Sequence, residues 1–300
     1  MSSREGSQRE RGAPRTARLA APPEPGIGIA PAGPAEKRTS GALEELAPGP
    51  RRPRGSSPRR TVATARRVLG QLRHDPRTVV LLIAVPSLLL VLFKYVYVGS
   101  PQVFDRVGLP MLGIFPFVTM FLVTSIAMVR ERTSGTLERL LTTPMGKLDL
   151  LAGYALAFGA VALVQGLVAG GVAVGPLGIE VAAGLGLVLT LAVLNALLGM
   201  ALGLFLSAFA ATEFQAVQFL PAAVLPQVLL SGLLVPRDQM ADVLRWISNA
   251  LPMSYAIDLL AAARTSSVVT GAMAVDLAVV VGCVLAALAL GAATLRRRTA

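Results

Sequence analysis

Cysteine is all but absent from this chain. Cys283 stands alone inside an apolar run, which excludes an internal disulfide and a thiolate metal site. Histidine is equally scarce: His74 has no second histidine to share a metal with, and beside Asp75-Pro76 it reads as a solvated side chain. There is no H-E-x-x-H, no G-x-S-x-G and no pair of carboxylates within the apolar runs placed for acid–base work. Met145-Gly146-Lys147-Leu148 has the look of the end of a phosphate loop. Leu141, however, stands where the first glycine of that motif belongs, and Leu148 where Ser or Thr must follow the lysine. The residues therefore offer neither an ATP site nor covalent chemistry.

Charge is also sparse, 15% of residues against 54% hydrophobic, and it gathers at the two ends and in a few loops. That distribution describes an all-α, polytopic membrane protein. The net charge of +11 does not point to nucleic acid, because 16 of the 28 Lys and Arg fall within residues 1–77, where they bias the chain toward an anionic membrane surface. Residues 1–57 carry no aromatic residue and many Pro and Gly, so they cannot bury enough apolar surface to offset the entropy of folding; a disordered basic tail is expected there. Arg51-Arg52 and Arg59-Arg60 lie too far from the first apolar run to form a twin-arginine signal. Over residues 58–76 the pattern changes to Val62, Ala65, Val68, Leu69 and Leu72 with arginines around them, an interfacial amphipathic helix.

Six spans are then expected, at about 78–98, 109–129, 150–174, 181–211, 214–235 and 272–295. Pro86 should kink the first, whose Lys94 can snorkel to the headgroups. Pro110 and Pro116 in the second free carbonyls that a packed neighbour must satisfy. The fourth run exceeds the roughly 20 residues a bilayer demands and must tilt, bend or protrude. Gly166/Gly170 and Gly199/Gly203 allow close helix approach, and Asn195 is either a packing or a pore-lining amide. Pro221 and Pro226 should make the fifth span irregular, while Glu213 falls in the turn before it.

The stretch Arg130–Lys147 breaks this monotony. Thr133 and Ser134 are suited to cap a helix start, Gly135 to a tight entry, and Pro144 with Gly146 to a stop. Between them Leu137, Leu140 and Leu141 form one stripe while Glu138, Arg139 and Thr142 face elsewhere. Two readings fit such a short amphipathic helix: one lying on the membrane surface, or one docking into a soluble partner.

The order Glu131, Gly135-Thr136-Leu137-Glu138, Leu140-Leu141, Thr143-Pro144 resembles the cytoplasmic loop of the ABC-2 type transporter permeases, with wording close to that of the drug-resistance members. A second stretch resembles that family's outer signature between the fifth and sixth spans. It runs from Gly232 through Pro236 to Arg245-Trp246, then on to Pro252 and Tyr255. The resemblance covers about residues 59–295 and implies a six-span domain over 77–300. It implies a coupling helix that inserts into an ATP-binding subunit and outer short helices dipping into the membrane, where Trp246 and Tyr255 suit the depth. It further implies a dimer of transmembrane subunits, ATP and Mg held by the partner rather than by this chain, and export of a hydrophobic drug, antibiotic or lipid-like cargo. Polysaccharide export within the family stays open. So do an ion-coupled secondary transporter, for which Asp276 and Glu180 are the nearest acidic residues, and a non-transporting assembly or signalling protein. With both termini inside the cytoplasmic membrane, inner segments hold 23 Lys and Arg against 5 outside, as the positive-inside rule requires.

Overall fold

The computed structural model describes residues 57–135 and 147–294, and all that follows concerns these. The expected basic tail and most of the expected coupling helix lie outside the described residues. Those described form helices joined by turns, with no strand. Helix α1 spans Pro58–Arg73, α2 Pro76–Val96, α3 Pro101–Thr133, α4 Lys147–Val174 and α5 Gly184–Leu206. After a broken stretch come α8 at Asp242–Ala250, α9 at Pro252–Thr265 and α10 at Gly271–Thr294.

Five helices are long and apolar enough to cross a membrane, rather than the six expected. The stretch expected as the fifth span is not one α-helix. It consists of α6 (Glu213–Phe219), a π-helical segment (Leu220–Val224) and α7 (Leu225–Leu229), and beyond that the chain leaves helical geometry. The cause is Pro221 and Pro226: neither has an N–H to donate, and each ring crowds the preceding turn, so the ladder shifts register.

The second span departs in the other direction. Most of the gap expected between the first and second spans, residues 99–108, is the opening of α3, which starts with Pro101 at its first position and runs 33 residues, about 50 Å at 1.5 Å per residue. Phe104 is buried there, tilted against Phe93. Beside it the Lys94 ammonium donates to the Leu177 carbonyl at 2.6 Å, so this lysine ties the end of α2 to the turn after α4.

The bundle is built around α5, which packs α3 on one side and α4 on the other. Glycines set both separations. A Cβ on Gly199 would lie 2.1 Å from the Phe117 carbonyl oxygen and one on Gly203 2.5 Å from that of Phe121, while one on Gly166 would lie 2.8 Å from the Val193 backbone. Asn195 is buried, its Nδ2 donating to Leu191 one turn back in its own helix. In α2, Pro86 leaves the Leu82 carbonyl without its intrahelical donor, and Gln165 of α4 supplies one at 2.8 Å. The fourth run begins helix only at Gly184 and ends by tightening into a 3-10 turn at Ser207–Phe209. Its lead-in is spent on α9: the N–H groups of Ala182 and Ala183 donate to the carbonyls of Arg264 and Ala263.

Candidate functional site

Residues 136–146 lie outside the described residues, and what flanks them, the last turn of α3 and the first turns of α4, forms two stems. Thr133 and Ser134 close the helix before the loop, their hydroxyls donating to the carbonyls of Arg130 and Glu131. Gly135 follows with φ +70°, the left-handed residue that commonly ends a helix. Thr136, Leu137, Glu138, Leu140, Leu141, Thr143 and Pro144 lie outside the described residues; Glu131 and Gly135 are the members of the expected coupling site that can be placed.

The α3 stem is cross-linked on several sides. Arg130 donates through Nε and Nη2 to both carboxylate oxygens of Glu213, each at 2.9 Å, a bidentate fork onto the start of α6. This hydrogen bonding holds the Glu213 carboxyl below the usual carboxylate range. Both side chains are largely exposed, at 68% and 43%, so the pair fixes geometry more than stability, at about 0–1 kcal/mol. Arg132 reaches the Ser207 carbonyl at 2.7 Å, joining the same stem to the end of the fourth span.

Glu131 points the other way, into a nearly closed niche where Arg67 of α1 lies 3.5 Å off. Arg67 Nη2 donates to the Tyr154 hydroxyl of α4 at 2.6 Å, with the guanidinium 5.9 Å from that ring's centroid. At the other end of α1, the Ser57 N–H donates to Asp149, which is buried in the first turn of α4. The sequence pattern alone sets the α1 arginines against an anionic membrane surface. The readable signal was Glu131 itself: a carboxylate in a helix's last turn opposes the helix dipole and implies a compensating cation.

At the opposite end of the bundle, the expected outer signature gathers around Arg237. Its guanidinium bonds Asp258 and Asn249 and lies 5.5 Å from the Tyr255 ring centroid. The Tyr255 hydroxyl in turn donates to the Asn249 carbonyl at 2.7 Å. Gly232, with φ +89°, leaves the room that the Arg237 stem occupies; a Cβ there would sit 3.2 Å from Arg237 Cγ. Pro236 caps the short turn that carries Arg237, and Pro252 opens α9. Ser248 and Ser254 both donate to the Leu230 carbonyl, latching the exit of the broken helix to α8 and α9. Trp246 takes no part in this cluster. It is 78% exposed, on a helix that buries Ser248 and turns Val243, Leu244 and Ile247 outward. Among the described residues, no three His, Cys, Asp or Glu side chains gather as metal ligands.

The sequence profile of the ABC-2 type transporter family matches residues 60–265, a span that includes both stems and the Arg237 cluster. The chain belongs to this family. It is similar to ABC transporter G family member 20 of Dictyostelium discoideum, with 28% identity over 160 residues, covering 53% of this chain and 22% of that protein. It is also similar to a protein of Escherichia coli strain K12 named "Probable multidrug ABC transporter permease YbhS", with 29% identity over 140 residues, covering 46% of this chain and 37% of that one. The matched parts thus amount to well under half of either relative's length. Family membership and the five long apolar helices together make this a multi-pass membrane protein.

Proposed function

We propose that this chain is the membrane permease subunit of an ATP-binding-cassette exporter, moving a hydrophobic drug, antibiotic or lipid-like substrate outward across the cytoplasmic membrane. ATP and its Mg are bound and hydrolysed by a partner nucleotide-binding subunit, and two transmembrane subunits form the path. The broken stretch Glu213–Leu229 supplies the sixth crossing, which returns the C-terminus to the side of the N-terminus, the cytoplasm. The observation that carries the reading is the family match over 60–265, a range that includes residues 136–146, which we take as the helix that meets the ATP-binding subunit. The stem geometry supports it: Arg130 joins the α3 stem to the broken helix and Arg132 joins it to the end of the fourth span, so a pull on that stem is felt by both. A gradient-driven carrier would need an acidic group free to take the coupling ion. Asp258 is paired with Arg237, Asp276 lies near the same guanidinium, and Glu180 is exposed in the turn after α4.

The test is co-purification of an ATP-binding subunit together with export. On this reading Leu137, Leu140 and Leu141 would bury their side chains in the partner's cleft, and truncating a well-buried interface leucine costs about 1–3 kcal/mol. Replacing all three with Ala should abolish assembly, whereas Glu138→Ala, off the stripe, should keep the complex and lower export. Normal export by both variants with the partner still bound would return the loop to an ordinary surface helix.

A further inference from the structure

Arg67 touches both stems of the loop and belongs to neither. Its helix, α1, is fixed to the α4 stem. Asp149 accepts the Ser57 N–H at 2.8 Å, and Gly153 lies so close that a Cβ there would fall 2.5 Å from the Thr64 Cβ. Helix α1 therefore moves with the first turns of α4, and Arg67 projects from it toward Glu131 on α3.

The pair it makes there is incomplete. Nη2 stands 3.5 Å from Glu131 Oε1, well beyond the roughly 2.7–2.9 Å of a charge-assisted hydrogen bond. Arg67 Nε and Glu131 Oε2 are both buried and have no hydrogen-bond partner. The close bond of Nη2 goes instead to the Tyr154 hydroxyl, which also hydrogen-bonds Glu131 and so bridges the two groups. The unused groups are complementary, because the Nε/Nη2 edge of a guanidinium matches the two oxygens of a carboxylate as a fork. An approach of about 0.6 Å between the stems would bring Nη2 within reach of Oε1 and Nε toward Oε2, at the expense of the Tyr154 bond.

We propose that Arg67 is a two-position latch between the stems: bonded to Tyr154 in the arrangement seen here, and forked onto Glu131 when α3 and α4 close on each other. Each position satisfies groups that the other leaves unpaired, so intermediate separations are disfavoured and the stems switch rather than slide. Arg67 is then a positioning residue that makes α1 a third limb of the loop's motion. What moves the stems rests on the ATP-driven reading given above; the latch itself does not.

Tyr154→Phe tests it, since this keeps the ring and removes the hydroxyl that holds Arg67 and Glu131 apart as their common partner. In the purified chain in lipid nanodiscs, a thermal double-mutant cycle between Arg67→Gln and Glu131→Gln should give a coupling at least about twofold larger in the Tyr154→Phe background than in wild type. Arg67→Lys should lose that gain although it keeps the charge, because an ammonium presents no fork. Spin labels at Val62 and Thr133 supply a readout independent of stability, and their separation should shift shorter in Tyr154→Phe. Equal coupling in both backgrounds with an unmoved label distance, or full gain with lysine, would overturn the latch. In proteoliposomes with the co-purified ATP-binding subunit and a hydrophobic fluorescent dye as probe, Tyr154→Phe should raise the ATP consumed per dye exported without changing KM for ATP. An unchanged ratio would remove the latch from coupling. Absence of ATP-dependent dye export from the wild-type complex would instead count against the exporter reading and leave the thermal and distance results to decide the latch.

Discussion

Gly199→Ala is the most demanding test of the bundle, because one methyl group meets backbone rather than a side chain that can turn away. The added Cβ would lie 2.1 Å from the Phe117 carbonyl oxygen and 2.8 Å from its carbon. A comfortable carbon–oxygen contact is about 3.3 Å, so α5 must withdraw from α3 by about 1.2 Å at that point. Neither helix can yield locally without breaking its own ladder, so the displacement extends along the seam to Gly203, four residues on, and parts the Thr124 hydroxyl from the Met200 carbonyl, now 3.3 Å away. Overpacking of this kind costs about 1–3 kcal/mol, and an interhelical hydrogen bond in a membrane about 0.6 kcal/mol. The sum is about 1.6–3.6 kcal/mol, or about 3–14 °C in melting temperature for a domain of this size. Cys283, the sole thiol, serves as the reporter in a thiol-reactive dye melt. Gly159→Ala is the control: its Cβ would meet only the Leu197 Cδ2, at 3.6 Å, an ordinary contact, so helix propensity should leave the melt unchanged or raise it. Equal melting of the two variants would refute the claim that Gly199 sets the α3–α5 spacing.

Three further outcomes are expected. Because its bond to Arg130 depresses the Glu213 pKa, the pair's stabilisation is full above the ordinary value of 4.5 and is lost as pH falls through the lower folded value. Glu213→Gln should therefore melt slightly below wild type at pH 7 and converge with it under acid; a gap that persists at pH 3 would mean that the side chain acts through packing. Trp246, the only tryptophan, should emit at short wavelength and be quenched by brominated lipid, since α8 turns its apolar face outward; quenching by aqueous iodide instead would put that face in water. In sealed right-side-out cells a tag at Gly178, in the turn after α4, should be accessible, while tags at both termini should be protected. An accessible C-terminus would mean that Glu213–Leu229 does not cross.

What the sequence makes legible follows from the range of the physics involved. An apolar run long enough to cross a bilayer is a local property, so four spans could be placed to within a few residues at most of their ends, and glycines four apart marked the close seams of α5. The second span was read too short because Ser100–Arg106 is polar, and only the distant Phe93 and Lys94 give Phe104 a reason to be buried there. Pro221 and Pro226 foretold irregularity but not its form: a π segment keeps the chain helical while shifting its register, and that outcome depends on neighbours as well as on the prolines.

The stem contacts are the instructive failure. Arg67 and Tyr154 are 87 positions apart, and an arginine on an amphipathic helix has an obvious alternative home among headgroups. Composition cannot tell an arginine that faces lipid from one that bridges two helices, because both satisfy the same charge pattern. Local context narrows the choice. Arg67 follows Thr64 by three residues and directly precedes Val68, both buried, so it borders the stripe that packs on α4, whereas Arg59 and Arg66 fall on the open side. Glu131 is flanked by Arg130 and Arg132 at a helix end that repels a carboxylate, a position that pattern alone leaves unexplained. An arginine at the edge of a buried stripe and a carboxylate where the dipole disfavours it are each weak signals. Taken together they ask for each other, and in the folded chain they lie side by side.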